Sequence, residues 1–455
     1  MVDNREASRS TASQLRFGLA VLVVAGLAAS FAIAFRSLLG LVLSRFYGSP
    51  DIVSAFRAMP VWATVVLPCM GGVLAGLAAM LATKGGKSQG VGDVMEAVAL
   101  GRTRLSMPVT LLKSLGSWFA ISAGGSIGRE GPIIQFGGSV GGLVGKAFGV
   151  DEQRARALIA AGTAAGFAAA YNTPLAAVLF VLEIVTGIVA LDAILPTVAA
   201  TALATAITRA VVGGGPIYGQ RAFVSSSQAA LLAHAGLGLL SGLLAYVFMC
   251  LLSESEKWFA KSRVPQPWRA GLGGLIVGVI AIRLPEITGN GYEPLNAILD
   301  GHVAIPMLIT LLIAKPLATS ASVSSGSPGG VFTPTLLIGA ALGACFFSVL
   351  ANVFDPRTLG SAGSYALVGM AAVTAASTHA PMMAAVLVFE LSGDYEIVLP
   401  LMLATTVATV VARRLRRDSI YTAELRRRGV SWELTLEGRA LAAKRASSHP
   451  PPSAQ

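Results

Sequence analysis

The chain has 455 residues, of which 54% are hydrophobic and only 13% charged. A water-soluble domain carries about 25% charged residues, so most of this surface must meet lipid, and a very large soluble core is the reading it excludes. The formal charge of +11, from 34 basic and 23 acidic residues, does not point to nucleic acid, because much of the excess is gathered at the two chain ends.

Taken in order, Arg5, Arg9 and Arg16 precede an uncharged run of 19 residues, Phe17–Phe35. That run is longer than the roughly 7–15-residue core of a signal peptide, and it is predicted to be a first membrane helix. Further uncharged runs are Ala58–Thr83 (26 residues), Pro316–Phe354 (39) and Leu359–Phe389 (31). One crossing needs roughly 20 apolar residues, so the two longest can each hold more than one helix. After the last run come Arg413, Arg414, Arg416 and Arg417, then Arg426, Arg427 and Arg428, then Arg439, Lys444 and Arg445. Basic residues flanking membrane spans mark the cytoplasmic side. Both termini are therefore expected in the cytoplasm, with an even number of crossings between them. Only 38 residues follow Arg417, too few for a sizeable regulatory domain, and the Ser447-Ser448-His449-Pro450-Pro451-Pro452 tail is expected to be disordered. Cys69, Cys250 and Cys345 stand far apart in apolar runs, and the four histidines form no cluster. Neither a disulfide framework nor a metal or cofactor site is expected.

Three segments recur at nearly constant offset. Gly71-Gly72-Val73-Leu74-Ala75-Gly76 matches Gly273-Gly274-Leu275-Ile276-Val277-Gly278, 202 residues on. The stretch from Lys113 to Gly128-Arg129-Glu130-Gly131-Pro132 matches that from Lys315 to Gly330-Val331-Phe332-Thr333-Pro334 at the same offset. Gly162-Thr163-Ala164-Ala165, with Pro174 and Glu183, matches Gly369-Met370-Ala371-Ala372, with Pro381 and Glu390, at 207. The chain thus divides into a cytoplasmic segment 1–15, a first membrane repeat 16–212, a linker 213–228, a second repeat 229–415 and a cytoplasmic segment 416–455. Duplicated halves, often inserted in opposite orientation, are a transporter and channel architecture in which the site lies at the midplane among broken helices. Ser88–Gly92, Gly128–Pro132 and Gly329–Pro334 are the Gly- and Pro-broken candidates.

Glycines before Glu130 and before Phe332 free backbone N–H groups just where Pro132 and Pro334 signal helix starts. A helix N-terminus carries unpaired N–H groups and about half a positive charge, which suits an anion. Two such ends, one from each half, would hold an anion without a full positive charge that would keep it from leaving. Glu130 is then a carboxylate placed among groups arranged for an anion. Ionised, it competes for the seat; protonated, it can swing away. A plain helix-capping role is the bland alternative, but an ionisable group at membrane depth reads first as functional.

Gly128-Arg129-Glu130-Gly131-Pro132, Gly329-Gly330-Val331-Phe332-Thr333-Pro334, Tyr171-Asn172-Thr173-Pro174-Leu175-Ala176 and Tyr421 in Asp418-Ser419-Ile420-Tyr421 resemble the ordered motifs of the CLC chloride channels and chloride/proton antiporters. The resemblance runs over about 16–421 and is most similar to the family's short bacterial, ClcB-like branch. It implies an all-α, inverted-repeat fold of about eighteen membrane helices, many broken or tilted, without CBS domains. It implies a homodimer in the bacterial inner membrane with one pore per subunit, carrying chloride. Glu130 would be the gate. Gln89, Gly90, Arg129, Gly131, Val331, Phe332 and Tyr421 would bind the anion, the backbone amides of Val331 and Phe332 lining the central site and the Tyr421 hydroxyl approaching from the cytoplasmic side.

Two positions depart from the family pattern. The first motif, Gly-Ser-Gly-Ile-Pro in the family, stands here as Ser88-Gln89-Gly90-Val91-Gly92. Gln89 can still donate through its amide, so an anion site survives with altered selectivity, and fluoride or nitrate stays open as cargo. The proton-relaying glutamate of coupled members falls at Ile184, which cannot carry a proton. A gated chloride channel is the expected function and a chloride/proton antiporter the alternative. A membrane enzyme using Glu130 as acid/base would need a second catalytic group nearby, and no His, Asp or Cys stands near it in sequence. Lys113 and Lys315 are expected either to add positive potential around the pore or to tie broken helices together, and Glu183 and Glu390 to be structural, paired with buried polar groups or near an interface. Asp93 and Glu96 are expected to face the cytoplasmic vestibule.

Overall fold

The computed structural model describes residues 2–83, 90–100, 105–187, 191–219, 228–427, 432–435 and 438–441. Gln89 and the tail from Ser447 lie outside these. Among the described residues the chain is a bundle of α-helices, with one short antiparallel pair of strands, Trp432–Thr435 and Gly438–Leu441, near the C-terminus.

Helices recur in the two halves in the same order. Val61–Thr83 pairs off with Gln266–Ala281, Met107–Ser122 with Ile305–Ser324, and Glu130–Ala147 with Phe332–Leu350. Glu152–Tyr171 corresponds to Ala362–Thr378, Pro174–Phe180 with its π-helical continuation Val181–Thr186 to Pro381–Ser392, and Leu191–Val212 to Val398–Leu415. The long run Pro316–Phe354 does hold more than one helix, broken at Ser325–Val331. The likeness extends to single backbone angles. Asn172 and His379 both close their helices in the left-handed region, at φ 58° and 59°, and each is followed two residues later by the proline that opens the next helix. Proline cannot continue a helix but is well placed to begin one.

Close packing explains the small residues. A Cβ on Gly137 would stand 2.0 Å from the carbonyl oxygen of Gly162, and one on Gly339 would stand 2.3 Å from that of Gly369. These are equivalent crossings in the two halves, between the helix that follows the broken loop and the helix after it. Without side chains the backbones touch, which is how helices associate when lipid offers no hydrophobic drive.

Among the described residues, seven helical stretches are long and apolar enough to cross a membrane. Their outward faces carry exposed leucines such as Leu19, Leu22 and Leu27, and helices suit a lipid solvent because they satisfy most backbone polar groups internally. Other helices, such as Glu152–Tyr171 and Ala362–Thr378, are buried along most of their length.

The halves are locked together by exchange. Glu390 accepts hydrogen bonds from the Leu175 and Ala176 N–H groups at 3.0 and 2.8 Å, capping the helix that opens at Pro174. Glu183 accepts from Met382 and Met383 at 3.3 and 2.7 Å, capping the helix that opens at Pro381. Each half supplies the carboxylate for the other's helix start, where unpaired N–H groups and the helix dipole welcome it. The structural role expected for both residues is what their contacts support.

Candidate functional site

The two broken loops meet at the centre. Gly128 N–H donates to the Gly330 carbonyl at 2.8 Å, and Gly330 N–H donates back to Gly128 at 2.9 Å, an isolated antiparallel bridge. Helices then leave in the two halves from Glu130 and from Phe332. The bridge satisfies two loop donors and brings both helix N-termini to one place.

Glu130 lies across that junction and is 1% exposed. Its Oε1 accepts from the Thr333 N–H at 3.1 Å and its Oε2 from the Thr333 hydroxyl at 2.8 Å. A carboxylate from the first half thus occupies the N-terminus of a helix of the second half, taking one of its unpaired donors. The glycines of the bridge make room for it. A Cβ on Gly128 would stand 2.1 Å from Oε2, and one on Gly330 2.3 Å from Oε1.

A second layer holds the threonine. Its hydroxyl lies 2.8 Å from the Tyr171 hydroxyl. Thr333 has a single hydroxyl hydrogen; with that hydrogen on Glu130, the Tyr171 phenol must donate to Thr333 Oγ1. The relay therefore runs Tyr171 to Thr333 to Glu130, and all three are buried. Neither Thr333 nor Tyr171 figures among the residues expected from sequence to touch the site. The sequence signal was their place in the two best-defined motifs, but the contacts span 203 and 162 residues.

A cavity of about 570 Å³ opens beside the carboxylate. Glu130, Gly131, Val331, Tyr421 and Gly90 all line it, as do Lys113 and Gln135, so five of the expected site residues share one space. Phe332 contributes the first turn of its helix while its ring packs into Phe167 and Tyr171, with centroids 5.6 and 5.8 Å away. Tyr421 is held edge-on against Phe180 at 6.2 Å. Arg129 does not line the cavity; it is half-buried and lies within electrostatic range of Arg36 and Tyr218. Gln89 falls outside the described residues, although Gly90 beside it reaches the cavity wall.

The two lysines of the repeat have parted company. Lys315 is fully buried and donates to the carbonyls of Ile287 and Gly289 at 2.9 and 3.0 Å, clamping the loop before the helix Tyr292–Leu299. Lys113 faces the cavity instead. Ile184 is 1% exposed within the π-helical turn and lies off the cavity wall. Asp93 binds the Gly90 N–H at 2.5 Å, bracing the first broken loop rather than lining the cavity.

A family model described as voltage gated chloride channel matches residues 71–413. A putative chloride channel protein, ClcB-like, from Ralstonia nicotianae is 39% identical over 415 residues, 90% of this chain and 96% of the relative. The voltage-gated ClC-type chloride channel ClcB of Escherichia coli is 32% identical over 418 residues, 89% of this chain and 97% of the relative. Among solved structures, a slow cyanobacterial Cl⁻/H⁺ antiporter superposes with a TM-score of 0.80 at 26% identity, over 91% of this chain and 98% of that one. A CLC-type fluoride/proton antiporter shares the fold at a TM-score of 0.73 and 24% identity, over 89% and 96%. With a family model over most of its length, relatives along nearly all of it and an inverted-repeat helical fold to match, the chain belongs to the CLC family of voltage-gated chloride channels and transporters.

Proposed function

We propose that this protein carries chloride across the bacterial inner membrane by passive, gated conduction, as a homodimer with one pore per subunit and both termini in the cytoplasm. The observation that carries this reading is the Glu130 carboxylate on the N-terminus of the Phe332 helix. It is a side-chain anion in a seat built of N–H groups, opening onto a cavity with room for a mobile anion. Glu130 is the gate. Ionised, it holds the seat through Thr333; protonated, it loses the charge-assisted part of both bonds and yields to chloride. The backbone amides of Val331 and Phe332, with Gly131, take the anion, and Tyr421 approaches it from the cytoplasmic end. Gly90 belongs to the inner mouth, Gln89 next to it in sequence adds an amide donor for the anion, and Arg129 adds positive potential at the junction without touching the ion.

Passive conduction is favoured by Ile184, an apolar side chain sealed where coupled members carry their proton relay. Chloride/proton exchange is the second reading, supported by the likeness of the fold to a Cl⁻/H⁺ antiporter. Reversal potentials of the reconstituted protein under crossed chloride and proton gradients separate the two. A conductor follows the chloride gradient alone, whereas an exchanger shifts with the proton gradient as well. In the same membranes, Glu130→Gln is expected to abolish the dependence of anion flux on external pH; an unchanged dependence would remove Glu130 from the gate.

A further inference from the structure

We propose that Glu424 is a proton-binding group at the cytoplasmic mouth of the anion path, whose ionised form restrains anion entry from that side. The inference rests on the reading above that the cavity carries anions, and on the cytoplasmic placement of the C-terminal segment.

The helix Ile420–Arg427 sets Glu424 three residues after Tyr421, so the two share a face. Both line the cavity that reaches Glu130. The carboxylate also abuts the first broken loop, since a Cβ on Gly90 would stand 3.4 Å from its Oε1. The next residue, Leu425, packs against Gly92, fixing this helix on the one that starts at Val91. Tyr421 lies within electrostatic range of Glu130 and Glu424 alike. One cavity therefore has a carboxyl group at its central seat and another near the end marked by Arg413, Arg414, Arg416 and Arg417 as cytoplasmic. The other titratable groups facing this space are Lys113, Glu256, Arg269 and Tyr421, with Asp93 and Glu96 on the adjoining helix. A neutral Glu424 leaves Lys113 and Arg269 to attract the anion; an ionised one opposes them. No covalent step is involved: the group binds a proton from the cytoplasm and releases it there.

Inside-out patches from giant spheroplasts expressing the full chain test this, with Glu130→Gln as background so that the central gate no longer titrates. Acidifying the cytoplasmic face of that variant should raise chloride current by about tenfold, the effect of removing one charge a few ångströms from an ion at the partly wet mouth. Adding Glu424→Gln should fix the current at the high level at every internal pH, while Glu424→Asp should keep the rise. A rise that persists in Glu130→Gln/Glu424→Gln, or no rise in Glu130→Gln alone, would overturn the assignment. A current that falls equally at all internal pH values on adding Glu424→Gln would also overturn it, by showing a merely structural contact. Absence of chloride current in every variant and in the parent protein would instead overturn the anion-transport reading, and this inference with it.

Discussion

The helix starts at Glu130 and Phe332 occupy equivalent places in the two halves, and their backbones are paired through Gly128 and Gly330. Their side chains do opposite things. Glu130 reaches across the junction into the seat between the helix ends, while Phe332 turns away and buries its ring against Phe167 and Tyr171. Lys113 and Lys315 diverge in the same manner, one facing the cavity and the other clamping a loop. By contrast, Glu183 and Glu390 kept both position and task. The duplication supplies a symmetric scaffold of helix ends. Chemistry enters where one half departs from the other, because a two-fold-symmetric pair of carboxylates could not share one seat without strong mutual repulsion.

Five substitutions test how far that division holds. The largest effect is expected from Gly330→Ala, whose Cβ would collide with Glu130 Oε1 at 2.3 Å. Displacing the carboxylate forfeits two charge-assisted hydrogen bonds, ~3 kcal/mol or about a hundredfold in the balance of open and closed gate. Chloride efflux from liposomes should rise and lose its pH dependence; efflux that stays gated would show that the bridge glycines do not shape the seat. Next comes the lysine pair. Lys315→Met strands two buried carbonyls and should cost about 3 kcal/mol of stability, read as a lower unfolding temperature in detergent. Lys113→Met should leave that temperature nearly unchanged and slow conduction instead, and equal thermal losses in both would erase the proposed asymmetry.

Thr333→Val removes the hydroxyl that links Tyr171 to Glu130 while keeping the backbone N–H bond. It should weaken the closed gate by about 1.5 kcal/mol, roughly tenfold in open probability, measured as single-channel activity or efflux rate at neutral pH. The smallest effect is expected from Gln89→Ser, which should shift the preference among chloride, nitrate and fluoride by a few fold, on the order of 1 kcal/mol for one exchanged hydrogen bond. Identical permeability ratios would place Gln89 away from the ion.

Much of this was legible in the sequence for a simple reason. Broken helices in a membrane demand glycine and proline, and a duplication writes each demand twice, so Gly128–Pro132 and Gly329–Pro334 identified each other. Glu130, Gly131, Val331, Tyr421 and Gly90, picked out from separate motifs, line one cavity. What a linear reading could not give were contacts that exist only once the halves are interleaved. The Thr333 and Tyr171 relay and the exchanged caps of Glu183 and Glu390 join residues between 162 and 215 positions apart. Identical residue types also hid different fates. Lys113 and Lys315 look equivalent at offset 202, and only the carbonyls of Ile287 and Gly289 distinguish them.

The exchanged glutamate caps carry a consequence for ancestry. A lone repeat has no means of covering its own exposed helix start at Pro174 or Pro381, since the carboxylate that does so sits on the other unit. A half-length forebear could complete itself only by meeting a copy of itself inserted upside down in the same bilayer. Carrying both repeats on one chain guarantees that each helix start meets its cap.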